Sequence, residues 1–572
     1  MSQHPSPINS LKLRVIQGST PYEQVIPSSA SGNNTVQITN ADLLAAFNSQ
    51  PLGTIFTPSI VTTYATGSFA TGDVLSTYSV PANFVPRQIT PTFSVADIPE
   101  KTTTDEQFSL ANLVTKTGTG VVSYSSSAQS VATINSSSGL VTIIGAGETN
   151  ITFSLAASAD GVYKAAAPIT KTLTVTSSGW TQRGQNINGK SAWDYSGYSV
   201  SISADGTIIA IGEIYGSNSG SVRVWEWNST TSLWVQRGQD IDGELAEDES
   251  GTSVSLSADG TRVAIGAPYN SDNASYSGSV RVYEWNNTSS LWVQLGQDID
   301  GGAVDDLSGE SVSLSADGTI LAIGAYNSSN NASYSGSVRV WAWNGTVWVQ
   351  RGQDINGEAE YDYSGRSVSL SADGTRVAIG AYNRSNNNGS SSGSVRVYEW
   401  NNTTSLWVQR GQDINGEAAG DNSGWSVSIS ADGTIVAIGA TGNGSNSGSV
   451  RVWEWNSTTS LWVQRGQDID GESAWDQSGR SVSLSADGTI VAIGAPGNDG
   501  NGSNSGSVRV WAWNSTTSLW VQRGEDIDGE AASDESGSSV SLSADGTIVA
   551  IGARYNDGNG SNSGRTRVFK YQ

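Results

Sequence analysis

The chain has 572 residues, with 66 glycines, no cysteine and a formal net charge of −24. An acidic surface without a basic cluster argues against nucleic acid or an anionic membrane as a partner, and the lack of cysteine excludes disulfides, zinc–thiolate sites and thiol catalysis. No apolar run approaches the about 18 residues of a membrane-spanning helix, and the first residues lack the basic and apolar segments of a secretory signal, so we expect neither feature.

Residues 1–90 are predicted to form a small β-rich module. The segments 11–16 and 35–38 alternate apolar and polar residues, and residues 54–80 are rich in Thr, Val, Ile and Tyr, which is typical of strands. A short helix is expected over 41–47, capped by the preceding asparagine. We expect this module to attach the protein to its support.

After a proline-containing linker at 81–91, residues 91–177 are predicted to form a β-sandwich. Ser/Gly turns separate short alternating segments, with strands expected at 121–125, 131–134, 140–144 and 150–155. Ser-Val-Ala-Thr-Ile-Asn at 130–135, followed by Ser-Gly-Leu-Val-Thr and Gly-Ala-Gly, resembles the bacterial Ig-like domain of group 2. Such domains serve as spacers in adhesins and phage virion proteins, so the resemblance implies a display role and no catalytic residue.

Residues 178–572 contain a repeated phrase built around Ala-Asp-Gly. It occurs seven times, 54 to 59 residues apart, with its aspartate at 205, 259, 317, 373, 432, 487 and 545. Self-similarity at this spacing indicates repeated supersecondary modules, each of which cannot bury its apolar faces alone.

One module predicts four antiparallel strands. Residues 481–485 alternate as a strand, 486–489 form a tight turn, 490–494 are a buried apolar strand, and 507–513 and 519–524 are the third and fourth strands. Seven such modules predict an all-β, seven-bladed β-propeller. A solenoid is the alternative, although it requires polar caps at both ends.

The ends of the repeat region favour a closed ring. Residues 180–184 read as a fourth strand with no module before it, and residues 565–571 as a third strand with no fourth strand after it. We expect the two to pair and complete the last blade, because closure removes the open sheet edges that invite aggregation.

The motifs Ser-Gly-x-Ser-Val-Ser, Val-Ala-Ile-Gly-Ala-Pro and Gly-Ser-Val-Arg-Val-Trp resemble the FG-GAP type of propeller repeat over residues 179–572. The resemblance implies the fold of integrin α-subunits and of many microbial surface proteins. Ser-Gly stands here in place of Phe-Gly. The four-residue Ala-Asp-Gly-Thr turn replaces the calcium loop that many such repeats carry, so calcium is not expected at that place.

Composition restricts catalysis. The single histidine is His4, which excludes Ser-His-Asp and Cys-His catalysis within the folded repeats. Composition alone does not exclude catalysis by carboxylates, as in glycosidases. We expect no enzymatic activity.

Acidic linkers between modules are candidate calcium ligands. Side-chain oxygens on a tight Gly turn suit calcium, and the candidates are Asp240, Asp242, Glu244, Asp468, Asp470 and Glu472. An aspartate also recurs ahead of each Ser-Gly, at 194, 248, 306, 362, 421, 476 and 534. The alternative is that these aspartates accept backbone N–H bonds and fix turns. We favour the structural role and expect no cofactor, with calcium as the alternative.

Aromatic and arginine residues supply the candidate binding site. Pairs such as Trp225 and Trp227 recur at strand spacing and are expected to pack between blades. The residue between Gly and Ser-Val varies among six residue types in the seven modules, and aromatic residues flank it in several of the preceding loops. We expect these positions to lie together at one end of the ring, where they stack on sugars or bind a protein. The candidates are Trp193, Tyr195, Tyr198, Tyr361, Tyr363, Arg366, Trp425, Trp475 and Arg480. Neutral variation on an exposed loop is the alternative.

Together these patterns predict a non-enzymatic virion surface protein, such as a capsid decoration, fibre or tail component. Its first 90 residues would dock on other virion proteins, and its propeller would bind a host glycan or protein, with homo-oligomerisation left open. The alternatives are a microbial cell-surface adhesin that binds glycan or protein and, third, a carboxylate glycosidase.

Overall fold

The computed structural model describes residues 8–17, 20–26, 57–64, 88–103, 105–159, 162–176 and 179–572. The chain divides into two compact units, Met1–Ser177 and Ser178–Gln572. Among the described residues, no helix has the length and apolar character needed to span a bilayer.

The N-terminal part of the first unit contains a three-stranded antiparallel sheet. Its strands are Ile8–Gln17, Thr20–Ile26 and Thr57–Tyr64, with the first of them in the centre. The expected strand at 11–16 lies within the central strand, and the expected strands at 54–80 are described only over Thr57–Tyr64. The strand expected at 35–38 and the helix expected at 41–47 lie outside the described residues.

The remainder of the first unit is a two-layered β-structure with one apolar core. One sheet orders Phe108–Ser109, Leu140–Ile143 and Ala132–Ile134; the other orders Lys101–Thr102, Ile169–Thr176, Gly147–Leu155 and Val122–Ser126; and Phe93–Val95 pairs with Val114–Lys116 beside a 3₁₀ turn at Ala111–Leu113. Leu110, Val141, Ile151, Phe153 and Leu173 are fully buried between the layers. Alternation along Gly147–Leu155 explains the core, because every second side chain of that strand points inward.

The second unit consists of seven sheets of five strands each. Sheet 1 contains Ser196–Ile202, Ile208–Glu213, Ser221–Asn228, Leu233–Gln236 and Ile241–Asp242. Sheet 2 contains Ser253–Leu256, Arg262–Ala267, Ser279–Asn286, Leu291–Gln294 and Ile299–Asp300. Sheet 3 contains Ser311–Leu314, Ile320–Ala325, Ser337–Trp343, Trp348–Gln350 and Ile355–Asn356. Sheet 4 contains Ser367–Leu370, Arg376–Ala381, Ser394–Asn401, Leu406–Gln409 and Ile414–Asn415.

Sheet 5 contains Ser423–Ile429, Ile435–Ala440, Ser449–Asn456, Leu461–Gln464 and Ile469–Asp470. Sheet 6 contains Ser481–Leu484, Ile490–Ala495, Ser507–Asn514, Leu519–Gln522 and Ile527–Asp528. Sheet 7 contains Ser536–Leu542, Ile548–Ala553 and Arg565–Tyr571, followed in space by Trp180–Gln182 and Ile187–Asn188. Two short helical turns, Gly216–Asn218 and Asn443–Asn446, lie in loops between second and third strands.

The fifth strand of each sheet was not expected. The sequence predicts four strands and a linker, whereas two linker residues, such as Ile241 and Asp242, pair antiparallel with the start of the third strand. Two residues are too short to show a period of alternation, which is why the strand is invisible in the sequence. The buried isoleucine at its first position, for example Ile241, explains why the linker is held against the sheet.

Sheet 7 joins the two ends of the unit. Trp180 pairs with Tyr571, Thr181 with Lys570 and Gln182 with Phe569, in antiparallel register. These are the two segments that the sequence expects to meet.

The turns after the first strands also form a closed circle. The backbone N–H of the alanine in each Ala-Asp-Gly turn donates to the carbonyl of the equivalent alanine in the next sheet, from Ala204 through Ala258, Ala316, Ala372, Ala431 and Ala486 to Ala544 and back to Ala204. The first strands therefore lie nearest the axis of the ring.

Glycine allows neighbouring sheets to approach closely at the other end of the first strands. A Cβ on Gly212 of the Ile-Gly motif would lie 2.0 Å from the carbonyl oxygen of Gly251 in the next Ser-Gly motif. The same contact recurs around the ring, and between Gly552 and Gly197 it closes sheet 7 onto sheet 1. Any side chain here would force the sheets apart, which explains both glycine motifs.

Tryptophan of the fourth strand is the main inter-sheet anchor. Trp234 is 2% exposed, and its indole N–H donates to the carbonyl of Arg183 in the preceding sheet at 2.8 Å. Gln185 binds the backbone N–H and C=O of the same tryptophan with its side-chain amide. The pairs expected from the sequence, such as Trp225 and Trp227, are partly buried and pack against this core. The stronger packing role belongs to Trp234 and its equivalents.

The recurring aspartates fix turns. Asp205 accepts hydrogen bonds from the Ser203 hydroxyl and from the N–H and hydroxyl of Thr207. Asp248, 3% exposed, accepts from the N–H of Leu245, and Asp194 does the same with Ser191. Side-chain oxygens thereby satisfy backbone donors that the loops would otherwise leave buried and unpaired.

Candidate functional site

The variable residue of each module occupies the same place in every sheet, at the start of the first strand. Its backbone N–H donates to the carbonyl three residues before it in all seven sheets, as Arg366 does to Tyr363. That preceding residue has a left-handed backbone in every case, for example Tyr195 with φ of 54° and Gln477 with φ of 55°. Since this uncommon conformation recurs whatever the residue type, it belongs to the frame, and the side chains that follow it are free to differ.

Five of these side chains converge in what we call the inner-rim cluster: Tyr198, Glu310, Arg366, Trp425 and Arg480. Arg366 forms an ion pair with Glu310 of the preceding sheet, with 2.7 Å between Nη1 and Oε1. The guanidinium of Arg366 lies 5.1 Å from the ring centroid of Trp425, and that of Arg480 lies 4.5 Å from it. Sheets 3, 4, 5 and 6 are thus linked by an alternation of charge and aromatic ring.

Tyr198 of sheet 1 meets the same charges from the other side. Burial raises the pKa of its hydroxyl, and Glu310 raises it further, while Arg366, Arg554 and Arg480 oppose that shift. The guanidinium of Arg554 lies 5.5 Å from the Tyr198 ring. These charges come from four different sheets, so the cluster belongs to the ring as a whole.

Aromatic residues of the adjoining loops surround the cluster. Tyr195 contacts Trp193, Tyr215 and Tyr555, with ring centroids 5.5 to 6.4 Å apart. On the other side Tyr363 contacts Tyr326, Tyr334, Tyr361 and Tyr382. Trp193, Tyr361 and Trp475 are 55%, 49% and 66% exposed, so much of each ring is open to solvent, with one face of Tyr361 stacked on Tyr334.

Several rim residues come from a position that sequence reasoning missed. Tyr326, Tyr382 and Arg554 follow the Gly-Ala at the end of the second strand, and Tyr382 packs edge-on against Trp425 at 4.9 Å. This position also differs from module to module, so the argument from variation would have identified it. The remaining variable residues, Thr252 and Ser538, have small side chains and add no charge to the cluster.

The calcium ligands expected within single linkers are not brought together. Asp240 binds the ammonium of Lys190 and accepts a hydrogen bond from Gln236, and Asp242 accepts one from Ser217. Glu244 instead faces Arg281 and the aspartate of the next linker. Neighbouring linkers lie side by side, so the glutamate that ends one linker meets the aspartate that begins the next.

These glutamate–aspartate contacts form a series around the ring. Glu244 and Asp298, together with Asp272, have carboxylate oxygens within 4.8 Å of one another. Glu417 meets Asp468, and Glu472 meets Asp526; burial raises the pKa of both glutamates, and the facing aspartates raise it further.

At two equivalent places the chain supplies its own cation. Lys190 stands where five of the other six linkers have glutamate, and its ammonium binds Asp240. Arg384 reaches between Glu358 and Asp413, with its Nη2 3.2 Å from Asp413. The geometry therefore accommodates a positive group between the two acidic positions.

Comparison with known proteins identifies the repeat. A model of the FG-GAP repeat matches residues 242–283, 356–398, 469–511 and 527–569. The chain contains four FG-GAP repeats. Each match runs from a linker through three strands of one sheet, in sheets 2, 4, 6 and 7, and the unmatched sheets have the same strand order. A search of curated protein sequences finds no match.

Three solved structures are similar to parts of this chain at low sequence identity. Kuenenia stuttgartiensis hydrazine synthase is 14% identical over 65% of this chain and 95% of its own, with a TM-score of 0.42. The Pseudomonas aeruginosa periplasmic gluconolactonase PpgL is 16% identical over 61% and 88%, with a TM-score of 0.41. The C-terminal WD40 domain of Sif2 is 14% identical over 69% and 99%, with a TM-score of 0.40.

The loop in which FG-GAP repeats often hold calcium does not fit the ion here. Asp205 and its equivalents are the acidic residues of this turn, and their oxygens already accept hydrogen bonds from Ser203 and Thr207. Although burial raises the pKa of Asp205, these hydrogen bonds lower it below its usual value. The carboxylate is fully used in holding its own turn.

Proposed function

We propose that this protein is a non-enzymatic binding protein displayed at a surface, and that its seven sheets are the blades of a seven-bladed β-propeller. The inner-rim cluster, framed by exposed aromatic residues, is its binding site. FG-GAP repeats of this type suit a protein-binding or adhesive role. The observation that carries the proposal is the convergence of Tyr198, Arg366, Trp425 and Arg480 from different sheets at one end of the ring.

A rigid frame favours such a site. The backbone conformation before each variable residue is the same in all seven sheets, and glycine contacts lock the neighbouring sheets together. Side chains that differ on a constant frame alter the chemistry of the rim without altering the fold. Aromatic and arginine residues are those that concentrate binding energy at interfaces.

Binding of the full chain to an array of immobilised glycans and candidate host proteins tests this site. We expect Trp425→Ala and Tyr361→Ala to weaken binding at least about tenfold, as loss of a central anchor does. Val235→Ala, on an exposed fourth strand away from the inner rim, is the matched control and should leave binding unchanged. Equal binding by all three variants would remove the inner rim as the site.

We propose that catalysis plays no part. The rim carboxylates are engaged: Glu310 by Arg366 at 2.7 Å, Glu535 by Arg554 at 2.7 Å, and Glu249 by the Tyr215 hydroxyl at 3.0 Å. A glycosidase needs one carboxyl group to donate a proton and a second to act as nucleophile or base. Release of reducing sugar from host polysaccharide by the purified chain would refute this.

For the support, we propose a virion surface, with residues 1–90 docked on other virion proteins and an Ig-like sandwich over 91–177 as the spacer. The resemblance of the sandwich to Ig-like spacers of group 2 supports this arrangement. Labelling isolated particles with an antibody to residues 179–572 tests it. Labelling of a microbial cell surface with unlabelled particles would favour the adhesin.

We further propose that calcium binds between linkers, at Glu244, Asp272 and Asp298, and not within one linker. Oxygen ligands of this kind suit calcium. Independent support comes from Lys190 and Arg384, which put a positive group at the equivalent places elsewhere in the ring.

A further inference from the structure

Arg480 differs from every other arginine in the described part of the chain. Its guanidinium makes no hydrogen bond and no ion pair with any described residue, and it lies 4.5 Å from the ring centroid of Trp425. Its two neighbours in the rim are both paired, Arg366 with Glu310 and Arg554 with Glu535. The remaining arginines bind carboxylates or backbone carbonyls.

The surroundings of Arg480 leave its charge uncompensated. Burial and, after it, the charges of Arg366 and Arg554 together lower the pKa of its guanidinium to about 10, against smaller opposing effects of Tyr198 and Glu535. Arg480 is thus still charged at neutral pH. Arg366 and Arg554 each pair with a carboxylate, and the third rim carboxylate, Glu249, is bound by the Tyr215 hydroxyl, so Arg480 is left without a partner.

A partly buried, unpaired guanidinium is costly in the free protein, since it gives up water without gaining a partner. An anion from outside would remove this cost. A carboxylate is the best match, because the planar fork of the guanidinium donates two parallel hydrogen bonds to it. Contact with the Trp425 ring holds the fork in place before the ligand arrives.

The rest of the rim indicates what carries the carboxylate. Trp193 and Tyr361 expose flat aromatic faces around the cluster, and such faces stack on sugar rings. The protein has a net charge of −24, which disfavours a polyanionic partner such as an acidic peptide, whereas a single carboxylate needs only the one unpaired guanidinium of Arg480.

We propose that the inner-rim cluster binds an acidic saccharide, with the sugar carboxylate on Arg480. This inference rests on the proposed binding function and specifies its ligand.

Isothermal titration of the full chain with 3′-sialyllactose and galacturonic acid, against lactose and the methyl ester of galacturonic acid, tests the ligand class. We expect at least one acidic probe to bind at least about tenfold more tightly than its neutral counterpart. Arg480→Gln should remove this preference, and Arg480→Lys, which keeps the charge without the fork, should retain part of it. Equal affinity for acidic and neutral sugars, or an unchanged preference in Arg480→Gln, overturns the inference.

The outcomes separate this inference from the proposed function. A neutral glycan or a protein that binds the wild type but not Trp425→Ala keeps the binding site and overturns the acidic ligand. A ligand-independent measurement supports the same point: Arg480→Gln should raise the Tm of the free chain, because it removes repulsion from Arg366 and Arg554. A lower Tm for this variant would show that Arg480 has a partner in the free protein and would overturn the inference.

Discussion

The indole N–H of Trp180, in the strand that completes sheet 7, donates a 2.8 Å hydrogen bond to the backbone carbonyl of Arg523, the residue that follows the fourth strand of sheet 6. Trp180 also packs edge-on against Tyr571, with ring centroids 5.3 Å apart. The same residue therefore closes its own sheet and attaches that sheet to its neighbour.

Replacing Trp180 with alanine should loosen the closure. We expect a loss of about 2–4 kcal/mol in the free energy of unfolding, toward the lower end for large-to-small changes because Trp180 is only partly buried. Urea unfolding followed by tryptophan fluorescence measures it. Trp475→Ala, which removes an exposed ring, is the control, and a loss no larger in Trp180→Ala than in this control would contradict the role.

A second prediction concerns Glu525. It stands where the other linkers have a glutamine that binds both backbone groups of the facing tryptophan, as Gln467 does with Trp520. A carboxylate has no N–H to donate, so Glu525→Gln should complete the missing contact and stabilise the fold by about 0.5–1 kcal/mol. Thermal unfolding tests it, and the reciprocal Gln467→Glu should destabilise. An unchanged Tm in both variants would show that this contact does not contribute to stability.

The linker contacts predict opposite effects at equivalent positions. Burial and Asp526 raise the pKa of Glu472, so the ionised glutamate destabilises the fold at neutral pH. This penalty disappears as pH falls through the raised pKa toward the usual value of 4.5. Asp526→Asn should therefore increase the free energy of unfolding at pH 7 by a few tenths of a kcal/mol, since these groups are partly exposed. The increase should appear as a higher Tm, and it should vanish near pH 4.5.

Asp240→Asn is the matched variant, because Asp240 faces Lys190 where Asp526 faces a glutamate. It loses an attraction and should lower the Tm at pH 7. A shift of the same sign in Asp240→Asn and Asp526→Asn would contradict the pairing between linkers.

Arg223 shows how the chain compensates for Lys190. Third-strand arginines lie near the linker glutamate, as Arg509 does near Glu472 at 3.7 Å, but Lys190 leaves Arg223 without one. Glu213, 1% exposed, pairs with Arg223 instead. Glu213→Ala should destabilise by about 3–5 kcal/mol by leaving a buried charge unpaired. In chemical denaturation, the double variant Glu213→Ala with Lys190→Glu should recover most of that loss. If it recovers none, Glu213 does not compensate for Lys190.

The proposed calcium site is tested by metal addition. With a dissociation constant near the millimolar values of extracellular sites, 10 mM calcium, about ten times that value, should stabilise the wild type by about 1.4 kcal/mol. Asp298→Asn should abolish the calcium-induced rise in Tm. Asp413→Asn, whose site is filled by Arg384, should respond as the wild type does, and an undiminished shift in Asp298→Asn would contradict the site.

Much of the ring follows from the sequence, because the signals are local and repeated. The alternating Ser-Val-Ser-Leu strand, the Ala-Asp-Gly turn and the apolar second strand each carry their own pattern. The ends at Trp180 and Tyr571 could be matched because each lacks the strand that the other supplies. The two-residue strand Ile241–Asp242 escaped, since it is too short to have a period.

The site was only partly predictable for a different reason. Variation at one position per module identified Arg366, Trp425 and Arg480, but the partners of these residues depend on distances between sheets. Nothing in the sequence distinguishes the paired Arg366 from the unpaired Arg480. In the same way, the sequence predicted that the acidic residues of one linker would lie together, whereas Glu244 contacts Asp298, 54 residues further along the chain.

The closure of sheet 7 by both ends of the unit has a consequence for how such chains change in length. The strands that complete the circle are supplied by the termini, so duplication or loss of an internal module leaves the closing pair of Trp180 and Tyr571 untouched. The angle between every pair of neighbouring sheets must then change, and the close packing of glycine against a carbonyl of the next sheet leaves little room for such a change. Gain or loss of a module would therefore strain the contacts between all neighbouring sheets, and not the pairing of Trp180 with Tyr571 that closes the circle.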